Sequence, residues 1–133
     1  MLTQPRKQKY RKSYNGNMRG VQHQTVSFGD FGLQASTAGF ISSRQIEAAR
    51  KAITHYTKRG GKLWIRIFPH NPVTAKAQGL RMGSGKGAVV SFGTPIKVGT
   101  VVFELGGVNK ELAKEAFRLA SNKLPIKLAF IEK

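Results

Sequence analysis

From Ala48 to Phe103 the chain carries ten Lys and Arg and not one acid. Met1 to Gly29 is likewise acid-free and holds six bases. Cations in such runs have no nearby carboxylate to pair with, so they stay in water or meet an anion supplied from outside. Any buried structure in these segments must come from apolar periodicity alone. Over 133 residues, 23 Lys and Arg stand against 6 Asp and Glu, a formal charge of +17. That field repels itself in a compact monomer, and a counter-charge is expected in the working state. Phosphate backbones are the commonest supply. An acidic membrane surface is the rival, but no stretch is long and apolar enough to span a bilayer. Glu104, Glu111, Glu115 and Glu132, four of the six acids, follow the long acid-free run. The C-terminal quarter therefore reads as scaffold, and the N-terminal tail and the middle as the electrostatic footprint.

The length suits one domain whose folding removes about two-thirds of the chain's surface from water. Absence of cysteine removes disulfides, thiolate nucleophiles and most structural zinc sites. The first twenty residues lack the apolar core of a secretory signal. They are basic and acid-free, as transit peptides are, but Pro5, Gly16 and Gly20 make a poor amphipathic helix. A retained anion-binding tail is the expectation for residues 1–20, disordered when free and folding on a polyanion. Its cations are Arg6, Lys7, Lys9, Arg11, Lys12 and Arg19. Tyr10 and Tyr14 lie among them, to stack on nucleobases or to pack on the domain surface.

Residues 21–133 read as a single α+β domain. Short alternating runs (Val21, Val26, Phe28; then Phe31, Leu33, Ala35) predict a β-hairpin or meander before Phe40. Ser42 followed by Gln45 is a capping box, and Ile46, Ala49, Ile53 and Tyr56 keep helical spacing. Lys58, Arg59 and two glycines end that helix. Arg44, Lys51 and Lys58 share its opposite face, as a solvated stripe or as phosphate contacts. Lys62 to Phe68 predicts an inner strand with two apolar faces, in which Arg66 needs an anionic partner or an opening to solvent. Residues 69–79 predict an irregular loop, extending through the glycines to 87. Ala88–Phe92 and Thr100–Leu105 predict strands joined by turns at Thr94-Pro95 and Val98-Gly99. Asn109 caps a second helix burying Leu112, Ala113, Ala116, Phe117 and Ala120, and Ile126–Ile131 predicts a last strand. The order β-β-α-β-β-β-α-β, with antiparallel neighbours, is a two-layer domain of two helices and mostly antiparallel strands. It carries a basic tail and an extended glycine-rich loop.

That loop, Gly79 to Gly87, holds four glycines and the cations Arg81 and Lys86. Glycine lets backbone approach a ligand closely. A Walker A loop needs Gly, four residues, then Gly-Lys-Ser/Thr. Here Leu80 occupies the first glycine position and Gly87 replaces the magnesium-binding hydroxyl. His23, His55 and His70 are far apart, no nucleophile elbow exists, and metal-ligand spacing is missing. Asp30 reads as a turn residue, and Glu47 and Glu104 as lone scaffold charges. The expectation is no enzyme, no cofactor and no metal; the rivals are a nucleotide-binding protein using Gly83–Gly87, and a general nucleic-acid chaperone. Backbone-directed RNA binding survives best.

Five segments carry a resemblance: Gln45-Ile-Glu-Ala-Ala-Arg50, Lys62-Leu-Trp-Ile-Arg-Ile-Phe-Pro69, Arg81-Met-Gly-x-Gly-Lys-Gly87, Phe103-Glu-x-x-Gly107-Val108 and Lys123-Leu-Pro-Ile-Lys127. In order and spacing, together with Pro5 to Lys12 and Val26 to Leu33, the chain resembles the universal L-sixteen family of large-subunit ribosomal proteins, in its bacterial type. The resemblance covers nearly the whole chain. It implies a structural protein of the large subunit that binds rRNA and helps position tRNA at the A site, near the peptidyl-transferase centre. Implied partners are large-subunit rRNA, tRNA of the A site and beyond it the P site, and neighbouring ribosomal proteins, without self-assembly or a membrane. The rRNA-binding residues expected are the six tail cations with Arg44, Lys51, Lys58, Arg59, Lys62 and Arg66. Arg81, Met82, Gly83, Gly85, Lys86 and Gly87 match the family's tRNA-proximal loop, and Arg81 corresponds to an arginine hydroxylated in some members.

Two departures stand out. Ser84 replaces a residue usually basic in the family, so the loop has one cation fewer. Val89 to Ile96 replaces a segment that normally contains an acid, Tyr or His, and Trp; Lys97-Val-Gly99 replaces a Lys-Pro-Gly turn. The substitutes remain apolar or β-branched, so the fold is expected to survive, while the family's rRNA contacts along that strand do not carry over. The expected location is a ribosome, in the bacterial cytoplasm or in the matrix of a mitochondrion or plastid, since the divergence fits an organelle-encoded copy.

Overall fold

The computed structural model describes residues 4–14 and 16–133. Seven strands and two helices follow in the order β1 (Phe31–Ala35), β2 (Gly39–Ser42), α1 (Ser43–Tyr56), β3 (Lys62–Ile65), β4 (Asn71–Ala75), β5 (Ala88–Ile96), β6 (Val101–Gly106), α2 (Lys110–Ser121) and β7 (Leu128–Glu132). Strands β3-β6-β1-β7 form one sheet and β2-β5-β4 a second. Every strand pair is antiparallel, and the α+β class read from the sequence holds.

Both helices begin where their caps predict. Ser42 Oγ accepts from Gln45 N–H while Gln45 Oε1 accepts from Ser42 N–H, satisfying two otherwise orphaned donors. Asn109 Oδ1 accepts from Leu112 N–H at 2.9 Å. Helix α1 buries Ser43, Ile46, Ala49 and Ile53; α2 buries Ala113, Ala116, Phe117 and Ala120. Leu112 is half-buried and Tyr56 exposed, so each predicted face is narrower than its apolar spacing. The helices pack on one another, α2 also on β1 and β7, and α1 on β2 and β5. Phe103, Phe117, Leu33, Leu105 and Ile96 fill the core between them.

Tertiary context changes several predicted elements. The expected early hairpin does not form: β1 pairs with β6 and β7, whereas β2 pairs with β5 in the other sheet. Val21 makes only an isolated bridge to Val98, and residues 22–30 instead cross the outer face of the larger sheet. There a Cβ on Gly32 would sit 2.8 Å from Val26 Cγ2. The predicted inner strand is β3, and it is an edge. The strand covered on both faces is β6, all six of whose residues are buried. Residues 71–75, read as irregular, pair with β5 as strand β4. Pro72 is tolerated because β4 is an edge, where a missing N–H costs no ladder bond. Likewise β5 runs through Thr94-Pro95, where a turn is expected, and Gly93 lies beneath the Phe40 ring. The glycine-rich loop therefore begins after Ala75 rather than at Pro69.

Candidate nucleic-acid interface

Strands β4 and β5 form a two-stranded ribbon that closes at Ala75↔Ala88. The loop between them, residues 76–87, is exposed throughout except at half-buried Gly87. Gly79, Gly83 and Gly85 have φ of 87°, 95° and 98°, and a Cβ on any of them would meet nothing. Their glycine is required by backbone conformation, since only glycine adopts the left-handed region freely. Ser84 between the last two is also left-handed, with φ 61°. Gly87 differs: a Cβ there would press on Ala75 O at 2.5 Å, so its glycine is a matter of space at the neck of the loop. The glycines lead into strand β5, not into a helix. The helix N-terminus that completes a phosphate cradle is missing, as the failed Walker spacing predicts.

Lysines brace the loop. Lys76 Nζ donates across it to Gly83 O at 2.5 Å. The tail runs alongside: Lys12 Nζ donates to Lys86 O at 3.1 Å, and Lys86 Nζ donates to Ser13 O at 2.5 Å. Lys86 Nζ also stands 5.8 Å from the centroid of the Tyr14 ring. Tail and loop thus form one composite arm, a link the sequence does not signal because its partners lie more than seventy residues apart. Arg81 and Met82 are exposed near the tip, and among the described residues no hydrogen bond or ion pair holds Arg81. Arg6, Lys7, Lys9, Arg11, Lys12 and Arg19 are all exposed. Tyr10 and Tyr14 are 72% and 97% exposed, so neither is packed on the body.

Of the predicted stripe, Arg44 and Lys51 lie on α1, while Lys58 falls beyond the helix, in the turn after Thr57. Arg44, Lys51 and Lys58 are exposed. Arg44 and Lys51, with Gln4 and the β5 residues Val90 to Phe92, line a groove of about 490 Å³. Lys51 also borders a concavity of about 540 Å³ with Thr54, His55, Lys58 and Arg59. At the end of α1, Arg59 N–H donates to Thr54 O and Lys58 N–H to His55 O. This Schellman pattern normally places glycine at its left-handed residue. Here Lys58 (φ 53°) and Arg59 (φ 61°) both take that conformation, ahead of Gly60 and Gly61. Two cations are held in backbone geometry that disfavours side chains by about 1–2 kcal/mol per residue.

Arg66 finds the anionic partner that its strand demands. Its Nη1 lies 3.2 Å from Glu104 Oε2 and donates to Thr25 O at 2.7 Å. Glu104, expected to be a lone scaffold charge, is wholly buried. Its Oε1 accepts from the N–H groups of Ser27, Phe28 and Gly29 at 2.8, 2.8 and 3.1 Å. Burial alone raises the Glu104 carboxyl. The N–H groups of Phe28, Gly29 and Ser27 outweigh it, helped by Arg66, and hold the group below the ordinary glutamate range. Glu47 is not alone either: it pairs with Arg50 at 2.5 Å, which also lowers its carboxyl. Arg66 is thus committed inside the molecule, while Lys62, Lys58 and Arg59 face outward. His23, His55 and His70 are exposed, and no cluster that could hold a metal ion occurs among the described residues.

Comparison with known proteins places the chain among ribosomal proteins. The family model described as Ribosomal protein L16p/L10e matches residues 5–131. The chain is similar to the large ribosomal subunit protein uL16 of Streptococcus uberis, 55% identical over 131 residues, covering 97% of this chain and 96% of that protein. It is 56% identical, with the same coverage, to the protein of that name from Streptococcus thermophilus.

Proposed function

The chain belongs to the ribosomal protein L16p/L10e family, and from that premise we propose a division of labour between its body and its arm. It is a structural constituent of the large ribosomal subunit, a partner of rRNA and of other ribosomal proteins, and not an enzyme. The bacterial relatives support a bacterial ribosome; the organellar origin suggested by residues 89–99 gains no support from them. In our reading, the exposed face of α1, the Lys58-Arg59 corner and tail cations neutralise rRNA phosphates. The composite arm reaches past that seat to order tRNA in the A site near the peptidyl-transferase centre.

The observation that carries this reading is the arm itself. A loop exposed from Lys76 to Lys86, with Arg81 and Met82 near its tip, contributes nothing to the core. It is nevertheless braced by Lys76 and tied to the tail through Lys12 and Lys86. Bracing lowers the ordering entropy left to be lost on contact with a ligand. The test is a ribosome carrying Arg81→Ala and Lys86→Ala together. The doubly substituted protein should remain with the large subunit during sedimentation in high salt, while tRNA accommodation slows. Unchanged tRNA-dependent steps would contradict the assignment, and saturable, magnesium-dependent nucleotide binding by the isolated protein would favour the rival.

A further inference from the structure

Phe28 is 61% exposed, although its backbone is tied to the core. Its N–H donates to the buried Glu104 carboxylate, as do those of both neighbours. The ring lies 6.4 Å from that of Trp64, inclined by only 22°. Trp64 in turn rests where glycine leaves room: a Cβ on Gly29 would meet Trp64 Cζ3 at 3.0 Å, and one on Gly106 would meet it at 3.2 Å. Cations frame the pair, with Lys62 Nζ 5.2 Å from the Trp64 ring and the Arg66 guanidinium 5.8 Å from the Phe28 ring. Phe68, 42% exposed, follows Arg66 two residues on.

A buried carboxylate, an ion pair and two glycines thus hold an aromatic pair on the outer face of the larger sheet, over β3 and β6. Resting on the RNA-binding reading, we propose that Phe28 and Trp64 form a stacking platform for one unpaired nucleobase, with Lys62 receiving the adjoining phosphate. Aromatic rings flanked by cations suit a base, which offers a π-face next to an anion. Glu104 is buried and already paired with Arg66, which leaves Lys62 and Arg66 as the charges standing over the two rings. The backbone beneath Phe28 is already anchored to Glu104, which lowers the ordering cost of stacking.

Trp64 is the sole tryptophan of the chain, so its fluorescence reports on the platform directly. The full-length protein is titrated with a single-stranded decaadenylate and with an abasic strand of equal length and charge. The base-bearing strand should quench Trp64, the abasic strand should not, and Phe28→Leu should weaken only the former, by roughly tenfold, the size of one base stack. Phe28→Tyr, which keeps a stacking ring, should restore the affinity, and an unchanged thermal midpoint of Phe28→Leu shows that the fold is intact. Equal affinity of both variants and the parent for the two strands would overturn the proposal and leave this surface to a protein neighbour. Failure of the parent to bind either strand would overturn the RNA-binding reading as well, so the two failures are distinguishable.

Discussion

Strand β6 buries all six of its residues, whereas the loop 76–87 buries none of its twelve. The strand spends its one charge, Glu104, inside the molecule on Arg66 and on three backbone N–H groups. The loop keeps Arg81 outside and ties Lys76 and Lys86 to carbonyl oxygens, not to carboxylates. One region is specified by what it removes from water, the other by what it holds ready for a ligand. The contrast divides the whole chain: four of six acids lie from Glu104 onward, and the arm is acid-free.

Substitutions can break this division. The largest effect should come from the core beside β6's charge. Phe103→Ala should cost about 3–5 kcal/mol in chemical denaturation, through lost burial and the cavity left behind. Arg81→Ala should stay within about 0.5 kcal/mol. Comparable losses at the two positions would erase the distinction.

Glu104→Gln should come next, at about 3 kcal/mol, since it strips Arg66 of its buried counter-charge. The same change sharpens the comparison through pH. Because folding lowers the Glu104 carboxyl, its contribution is complete above the ordinary glutamate range and is lost as pH falls through the lowered folded value. The parent should therefore lose more stability between neutral and strongly acid pH than Glu104→Gln does. Parallel pH profiles would show that the three-donor clamp is not an ionised anchor.

How much of this was legible in the chain follows the same line. The capping box at Ser42, the Asn109 cap and the buried faces of α1 and α2 are local, with signals within four residues. Strand partners are not local. Phe31 and Gly39 start strands in different sheets, because β6 and β5, some seventy and fifty residues on, offer them edges. Residues 71–75 have no apolar alternation of their own; β5 makes them a strand. The cations of the interface stand in plain view in an acid-free sequence. The exposure of Phe28 does not, since an alternating Val26-Phe28 run reads as buried until the Glu104 clamp is known. Lys58 and Arg59 in left-handed backbone are equally silent, because Gly60 and Gly61 look like the expected helix stop.

A gentler perturbation separates tail from arm. Removing residues 1–12 takes away five cations and should lower the slope of log affinity against log salt by up to about four. It should also free Lys86 O from Lys12, so the arm should exchange its amide hydrogens faster. An unchanged salt slope would remove the tail from the interface, and unchanged exchange would dissolve the composite arm.

In the proposed division of labour the loop tip meets tRNA while the body sits on rRNA. A photo-crosslinking residue substituted at position 82, in ribosomes with and without A-site tRNA, tests it most directly. Crosslinks from the tip to the tRNA acceptor end are expected, and only when the A site is filled. Crosslinks confined to rRNA or protein, and indifferent to tRNA, would contradict it.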